Sequence, residues 1–310
     1  MKLEQYGKRL SSPYLRKAMK IHSDVRKFMS DFLKNERDFV EIPPVIISAI
    51  TDPLNHPTTK SQVQVYGYTY ELTKSMIFHK QIAMHALDKI FSFSPNIRLE
   101  PTERKKTGRH LIEFTQIDVE QKNASREDVM NLAEDLVIYT IKKLLEKDSD
   151  ILKSVGRDLK IPTKPFKRIA YAEALKNYGE DFETKLSKEA KEPFWLIDIE
   201  ITEREFYDRE DPTRPGILLD MDLIYPEGFG EASSGGEREY ELDQIYKRIA
   251  KKGQTPEQFK WYIEFVKKFG LIPSAGFGIG IERFVRFVMG AKDVKDVTLF
   301  PKAPGEYYPI

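Results

Sequence analysis

One short segment near the end of the chain could bind a flat, anionic ligand. Glycines occupy alternate positions from Gly276 to Gly280, and Glu282 and Arg283 follow directly. Alternating glycines in a strand leave bare backbone that a ligand can approach closely. Arg283 would open the next helix, where its charge and the N-terminal dipole favour an anion. The G-x-G-x-G spacing does not match a Rossmann dinucleotide site, and tight packing of a helix on a sheet is the structural alternative.

A predicted hairpin of residues 92–100 and 109–120 combines cations, carboxylates and an aromatic ring. Because side chains alternate along a strand, Arg98 and Glu100 should share one face. The polar face of the second strand carries five side chains, those of His110, Phe114, Gln116, Asp118 and Glu120. A guanidinium can bind phosphate oxygens through two hydrogen bonds, and a phenyl ring can stack on adenine. These types suit a nucleotide, although a solvated amphipathic hairpin would show the same pattern.

The glycine-rich segment from 228 to 238 contains a carboxylate and a hydroxyl that could bind a hard cation. Glu231 and Ser234 supply oxygen ligands, and Asp220 or Asp222 lies just upstream. This set suits Mg²⁺ that bridges phosphates and keeps several waters. A surface turn is the alternative for this segment taken alone.

The composition limits the chemistry available to the 310 residues. The chain has no cysteine, which excludes disulfides, thiolate metal ligands and thiol nucleophiles. The five histidines lack the paired spacing of a zinc site, and no apolar run approaches the ~20 residues of a membrane span, so we expect a cytoplasmic protein. The net charge of +1 neither requires nor excludes a nucleic-acid partner. A highly charged surface without cysteine resembles proteins of hot-growing organisms.

The predicted elements favour an α+β fold, because helices alternate with antiparallel hairpins and not with regular β-α-β units. Apolar periodicity predicts helices at 12–35, 75–91, 125–155, 171–191, 242–269 and 281–289. Strands outside the hairpin are predicted at 39–47, 194–202, 216–223 and 275–280. The sequence shows no internal repeat, and we expect residues 1–310 to form a single domain.

Three segments together resemble class II aminoacyl-tRNA synthetases, in the form used by the aspartyl and asparaginyl enzymes. Residues 98–100 with 109–114 are similar to motif 2, and 276–283 are similar to motif 3. Residues 39–47 resemble motif 1, whose proline would be Pro44. The resemblance covers nearly the whole chain. It implies a mainly antiparallel sheet flanked by helices and a homodimer formed through the motif 1 strand around Pro44.

The resemblance also implies roles for the ATP-binding residues. Arg98 would bind the α-phosphate, and Phe114 would stack on adenine. His110 and Arg283 would bind the γ-phosphate of a bent ATP, and Glu231 and Ser234 would bind Mg²⁺. The expected ATP-binding set is Arg98, Glu100, Arg109, His110, Phe114, Glu231 and Arg283, of which Arg98 and Arg283 would be catalytic.

A second set of residues is expected to bind the amino acid. Ser75, Lys80 and Gln81 resemble the serine–lysine signature of the aspartyl enzymes, and Arg238 matches the arginine that binds the same carboxylate. The expected substrate site comprises Ser75, Lys80, Asp118, Arg238 and Gly278. Two cations around one carboxylate would reject an amide, which favours aspartate. The alternative is that Lys80 is a solvated helix lysine.

Two positions depart from the family pattern in this region. Ile77 stands where the family usually has glutamine, and Asp52 stands where a loop glutamate is expected. Both lie where the amino acid would bind, so they leave open which carboxylate of aspartate would face ATP.

The catalytic motifs begin almost at Met1, which leaves no room for the N-terminal OB-fold that reads the anticodon in these synthetases. The pattern then resembles the archaeal asparagine synthetases related to them. The expected reaction converts aspartate, ATP and ammonia to asparagine, AMP and pyrophosphate through β-aspartyl-adenylate, with tRNA an unexpected partner. Free ammonia is the expected nitrogen donor because a cysteine-dependent glutaminase is excluded.

Two other functions remain open from the sequence. The first is a truncated aspartyl- or asparaginyl-tRNA synthetase that charges tRNA or another carrier. The second is a non-catalytic regulatory paralogue that binds ATP or an amino acid, although the phosphate-binding residues are all present.

Overall fold

The computed structural model describes residues 3–56 and 58–308 of the chain. The helices in this part are α1 (Leu3–Leu10), α2 (Pro13–Asp31), α3 (Ile77–Ala83), α4 (Arg126–Ser154), α5 (Tyr171–Tyr178), α6 (Phe182–Glu189), α7 (Leu242–Lys251), α8 (Lys260–Phe269) and α9 (Ile281–Met289). The strands are β1 (Val40–Glu41), β2 (Ile47–Ser48), β3 (Gln62–Val65), β4 (Tyr68–Leu72), β5 (Lys89–Ile97), β6 (Glu113–Lys122), β7 (Lys167–Ala170), β8 (Phe194–Ile197), β9 (Asp220–Tyr225), β10 (Gly230–Glu237) and β11 (Ser274–Gly280). Across these ranges, no helix is both long and apolar enough to cross a membrane.

An eight-stranded sheet organises the fold, in the order β1-β5-β6-β11-β10-β9-β8-β7. The pairs β1–β5 and β7–β8 at its two edges are parallel, and the neighbouring strands between them are antiparallel. A smaller antiparallel sheet has the order β2-β4-β3. This arrangement confirms the predicted α+β class, with a mostly antiparallel sheet flanked by helices.

The helices that cover the sheet begin at residues suited to that position. The Ser12 side chain accepts a hydrogen bond from the Leu15 backbone N–H at the start of α2, and Pro13 occupies the first turn. Ser125 and Asp128 form a reciprocal capping box at the start of α4. Both helices then bury their apolar faces against the sheet, together with α9, in one large core.

A β-bulge interrupts the pairing of β10 with β9. Glu231 lies opposite Ile224, but Ser233 lies opposite Leu223, so Ala232 is an extra residue in β10. The bulge brings Glu231 and Ser234, which are three residues apart, to the same face of the sheet. Both side chains therefore point to the side on which the candidate site lies.

Several predicted elements are shorter than the sequence pattern indicates. The helix predicted at 75–91 is wrong beyond α3, because β5 begins at Lys89 and buries Ile90, Phe91 and Ser92 in succession. The segments 171–191 and 242–269 each form two helices, with breaks at Gly179 (φ 72°) and Gly253 (φ 69°). The predicted first hairpin strand also ends early, at Ile97. Arg98 and Glu100 therefore do not share a strand face. They lie in the connection between β5 and β6.

A buried carboxyl group joins α9 to β6. Glu282, 7% exposed, accepts hydrogen bonds from the Thr115 backbone N–H through both oxygens, at 3.1 and 3.0 Å. Burial raises the pKa of Glu282 from 4.5 to about 7, although the bond from Thr115 acts in the opposite direction. The folded protein therefore holds a proton on Glu282 over a pH range where the unfolded chain has lost it.

We predict that Glu282→Gln removes part of the loss of stability at high pH. The contribution of a carboxyl whose folded pKa is raised is present below pH 4.5 and is lost as the pH rises through about 7. The variant should match the wild type near pH 5 and exceed it at pH 8, by up to roughly 3 kcal/mol in the free energy of unfolding. Urea denaturation at both pH values measures this difference. The exposed Glu146→Gln is the control, and equal pH dependence of Glu282→Gln and the wild type would contradict the prediction.

Candidate active site

Two adjoining cavities open on the face of the large sheet, with volumes of about 390 and 230 Å³. We call them the first and second cavities. Eight residues line both of them, and these are Asn55, His56, Arg98, Gln116, Glu203, Arg204, Glu231 and Gly278. The shared lining shows that the two cavities form one continuous cleft.

The predicted site residues divide between these cavities. The first is lined by Arg98, Glu100, Arg109, His110, Phe114, Glu231, Gly278 and Arg283. The second is lined by Ser75, Lys80, Arg98, Asp118, Glu231, Ser234, Arg238 and Gly278. The fold thus brings the thirteen expected ATP-binding, substrate-binding and metal-binding residues to one cleft, while their individual roles stay predictions.

Two arginines in the first cavity are held by backbone carbonyls. Arg98 Nε donates to the Lys74 carbonyl oxygen at 3.0 Å, and its guanidinium lies 5.2 Å from the centroid of the Phe114 ring. Arg283 Nε donates to the Arg109 carbonyl oxygen at 3.2 Å, and Arg283 Nη1 lies 3.3 Å from Glu231 Oε1. These contacts fix both guanidinium planes while leaving other N–H groups to meet an anion.

Arg109 is paired with a carboxylate that the sequence analysis did not identify. Its Nη1 donates to Glu183 of α6, and Glu183 Oε1 also accepts from the Glu231 backbone N–H at 3.2 Å. The pairing depends on how α6 packs on β10. Glu183 is separated from the motif residues along the chain and sits in a helix with no unusual pattern, so the sequence offered no signal for it.

His110 is neutral in this environment. Burial lowers the pKa of His110 to about 2, and the neighbouring Arg283 and Arg109 add to the effect. Its Nδ1 lies 2.5 Å from Thr107 Oγ1. A neutral imidazole can bind a phosphate through a hydrogen bond, but it adds no charge.

His56 contacts the carboxylate of Glu100 at the boundary of the two cavities. His56 Nε2 lies 3.1 Å from each Glu100 oxygen. Burial raises the pKa of Glu100, but the bond from His56 and the charges of His56 and Arg98 outweigh this and lower it. Glu100 therefore stays ionised, and the loop that carries His56 is attached to the cleft.

Glu231, Ser234 and Asp222 form an oxygen-rich group suited to a hard cation. Burial raises the pKa of Glu231, but Arg283 and Arg109 together hold it at about 2. Buried Asp222 Oδ1 has no hydrogen-bond partner among residues 3–56 and 58–308. In these same ranges no cluster of three or more His, Asp or Glu side chains is arranged as a metal site. Two carboxylates, a hydroxyl and ligand phosphate oxygens fit Mg²⁺, which needs few protein ligands.

The second cavity contains two buried cations. Lys80 is 3% exposed, and its Nζ lies 3.0 Å from Asp118 Oδ1 and 3.5 Å from Glu120 Oε2. Arg238 is 4% exposed and donates to both Glu120 oxygens, at 3.1 and 3.2 Å, and to Asp208 at 3.4 Å. The alternative that Lys80 is a solvated helix lysine is therefore wrong.

Further carboxylates and one arginine of this cavity were missed as site residues. Asp208 and Asp220 are buried, and Arg204 Nε lies 3.3 Å from Asp220 Oδ2. Asp52 Oδ1 accepts a hydrogen bond from the Tyr207 hydroxyl at 2.9 Å. The sequence indicates Asp52 only as a departure from the family pattern and Asp220 only as a possible metal ligand. Loop residues such as Asp208 show no periodicity that could indicate burial.

Comparison with known proteins places nearly the whole chain in one family. Residues 2–304 match the model described as "tRNA synthetases class II (D, K and N)". An asparagine–tRNA ligase of Thermococcus gammatolerans is 30% identical over 97% of this chain and 72% of its own length. A second one, from Thermococcus kodakarensis, is also 30% identical, with the same coverage.

Solved structures agree with this assignment. Asparaginyl-tRNA synthetase from Pyrococcus horikoshii, complexed with asparaginyl-adenylate, superposes with a TM-score of 0.87 and 28% identity, covering 96% of this chain and 71% of that one. The Entamoeba histolytica enzyme with asparaginyl-adenylate gives a TM-score of 0.85 and 26% identity, covering 96% and 69%.

These relatives correct two predictions. The prediction of an ammonia-dependent asparagine synthetase is wrong, since relatives 30% identical over most of the chain are asparagine–tRNA ligases. The prediction that tRNA is an unlikely partner is wrong for the same reason. Both depended on where the catalytic motifs begin in the sequence, and that position carries no information about what accepts the activated amino acid.

The family model, the relatives and the cleft geometry all indicate the same family. The match spans nearly the whole chain, and the fold brings the three motif regions around one cleft. The chain therefore belongs to the class II tRNA synthetases of the D, K and N group.

Proposed function

We propose that this protein uses ATP to activate aspartate or asparagine as an aminoacyl-adenylate and then transfers the amino acid to tRNA. The observation that carries the proposal is the continuous cleft. One end has arginines around an aromatic ring, and the other end has the buried pair Lys80 and Arg238. The names of the relatives support tRNA as the acceptor.

The first cavity would hold ATP. Arg98 and Arg283 present guanidinium groups to its phosphates, and Phe114 offers a ring face to adenine. Glu231, Ser234 and Asp222 would hold Mg²⁺, which supplies charge neutralisation to the phosphates when bound. Ionised Glu231 suits this role, because its low pKa keeps the carboxylate charged at neutral pH.

The chemistry would proceed in two balanced steps. A carboxylate oxygen of the amino acid attacks the α-phosphorus of ATP, a new P–O bond forms, and pyrophosphate leaves. A ribose hydroxyl at the end of tRNA then attacks the activated carbonyl, loses its proton, and AMP leaves. Arg98 lies where the two cavities meet, so its guanidinium can stabilise charge that develops on the α-phosphate.

The side-chain group distinguishes the two candidate amino acids. Lys80 and Arg238 both line the second cavity and are buried, so they suit the carboxylate of aspartate. An amide would instead place N–H donors against side chains that can only donate hydrogen bonds. Within the pair of substrates, this observation favours aspartate, whereas the relatives carry the name of asparagine.

The first test is ATP–pyrophosphate exchange with purified protein, Mg²⁺ and either amino acid, followed by charging of total tRNA. We expect exchange with one of the two amino acids and attachment of that amino acid to tRNA. Arg98→Ala should lower kcat/KM for exchange by about 10²–10³-fold, because a preorganised charge at the reacting phosphate is lost. Arg37→Ala is the matched control, since Arg37 also lies over a ring, 4.8 Å from the Phe32 centroid, but outside both cavities.

Two results would contradict the proposal. If neither amino acid supports exchange, the activation step is wrong. If exchange occurs but no tRNA is charged, tRNA is not the acceptor.

We also propose that residues 1–310 act as one catalytic domain that pairs with a second copy through the motif 1 region. Val40, Ile46 and Ile47 there are 47%, 52% and 42% exposed, and β1 lies at the edge of the large sheet. A symmetric partner would cover these apolar side chains.

We expect Ile46→Asp to shift the protein from dimer to monomer, because a charge would be buried at the contact. Light scattering coupled to size-exclusion chromatography measures the mass. Ile161→Asp is the control, since Ile161 is similarly exposed, at 47%, but far along the chain from motif 1. A monomeric wild type, or an unchanged mass in Ile46→Asp, would contradict the dimer.

A further inference from the structure

The floor of the second cavity contains two buried carboxylates to which neither motif resemblance nor family match gives a role in binding the amino acid. Asp208 is 4% exposed and forms an isolated β-bridge with Arg238. Asp220 is 1% exposed and begins β9. Both side chains line the cavity beside Arg238. Carboxylates are rarely buried so completely without paired cations, so their partners are informative.

Glycines make the space that Asp220 occupies. Asp220 lies opposite Gly236 in the pairing of β9 with β10, and a Cβ at Gly236 would lie 2.1 Å from Asp220 Oδ1. Any other residue at this position would force the carboxylate to move. The bare backbone therefore allows the Asp220 side chain to lie over the neighbouring strand and face the cavity.

The protein supplies partners for only some of the oxygens of these two carboxylates. Asp220 Oδ2 lies 3.3 Å from Arg204 Nε, and Asp208 Oδ1 accepts from Arg238 Nη1 at 3.4 Å. Within the described ranges, Asp220 Oδ1 has no hydrogen-bond partner, and the same holds for Asp118 Oδ2 across the cavity. Buried oxygens without partners are costly unless a ligand completes them.

The charged residues that line the second cavity also indicate a cationic group on the ligand. In the described part of the chain, seven carboxylates line the second cavity: Asp52, Asp118, Glu203, Glu205, Asp208, Asp220 and Glu231. Four permanently cationic side chains face them: Lys80, Arg98, Arg204 and Arg238. The lining therefore carries three more carboxylates than these cations, and it favours a ligand with a positively charged group.

We propose that Asp208 and Asp220 bind the ammonium group of the amino acid substrate, next to the carboxylate-binding pair Lys80 and Arg238. An ammonium group has three N–H donors in a compact arrangement, which can meet Asp220 Oδ1 and a second carboxylate oxygen together. The cavity of about 230 Å³ is large enough for a small amino acid. This assignment rests on the proposed function, and it separates these two residues from the group that would hold Mg²⁺.

The test compares each amino acid with its analogue that lacks the amino group. Isothermal titration gives the affinities of the ATP-free protein for aspartate against succinate, and for asparagine against succinamate. The wild type should prefer the amino acid by at least about 10-fold, since the analogue leaves the carboxylates unpaired. In Asp208→Asn and Asp220→Asn this preference should fall to within about 3-fold, while the affinity for the analogue stays nearly constant.

A matched control separates this effect from a general disturbance of the fold. Asp148→Asn also replaces a buried aspartate, 2% exposed, whose oxygens lack hydrogen-bond partners in the described ranges, but Asp148 lies in α4 outside both cavities. It should retain the wild-type preference. Circular dichroism identifies any variant that does not fold, and the other of the two aspartate variants then provides the measurement.

The outcomes distinguish this inference from the proposed function. If the wild type binds an amino acid and the preference is unchanged in both variants, the ammonium subsite alone is wrong. If the variants instead alter only the Mg²⁺ concentration required for exchange, the carboxylates bind metal and the inference is overturned. If the wild type binds neither amino acid, the inference fails together with the proposed substrate.

Discussion

The antiparallel register of β6, β11, β10 and β9 is the constraint on which the site depends. Across these four strands, Asp118, Gly278, Ser234 and Asp222 lie in one row. The next row on the same face contains Glu120, Gly276, Gly236 and Asp220. Each row has carboxylates at its ends and small residues between them. A shift of one residue in the pairing of any of these strands would turn the side chains of the shifted strand toward the apolar core.

Two of the glycines in these rows, Gly276 and Gly236, leave the space that a neighbouring carboxylate occupies. A Cβ at Gly276 would lie 2.2 Å from Glu120 Oε2, a contact as close as that between a Cβ at Gly236 and Asp220. Glu120 can therefore lie flat and accept hydrogen bonds from Arg238 and from the Ser274 hydroxyl at 2.8 Å. The alternating glycines are predicted to let a ligand approach the backbone. They also accommodate the side chains that orient Arg238.

The sequence predicted which residues line the cleft better than it predicted the elements that carry them. Residue types such as Arg98, His110 and Phe114 indicate chemistry wherever their segment folds, so their convergence on one cleft could be anticipated. The end of the helix predicted at 75–91 could not be anticipated, because a short apolar run such as that around Ile90 fits a buried strand equally well. Contacts such as Glu183 with Arg109 depend on the packing of α6, which no local pattern encodes. The predicted acceptor is wrong because it depended on where the catalytic motifs begin, and that position carries no information about the second step.

The bulge at Ala232 changes which residues of β10 share a face of the sheet. In a regular strand, residues separated by an odd number of positions point in opposite directions. Glu231 and Ser234 are separated by three, yet both line the second cavity, so the extra residue has reversed the parity of the strand. The odd spacing of these two oxygen ligands in β10 is therefore a direct result of the bulge. A related chain without the extra residue would carry the same two ligands two positions apart, which is the regular spacing for one face of a strand.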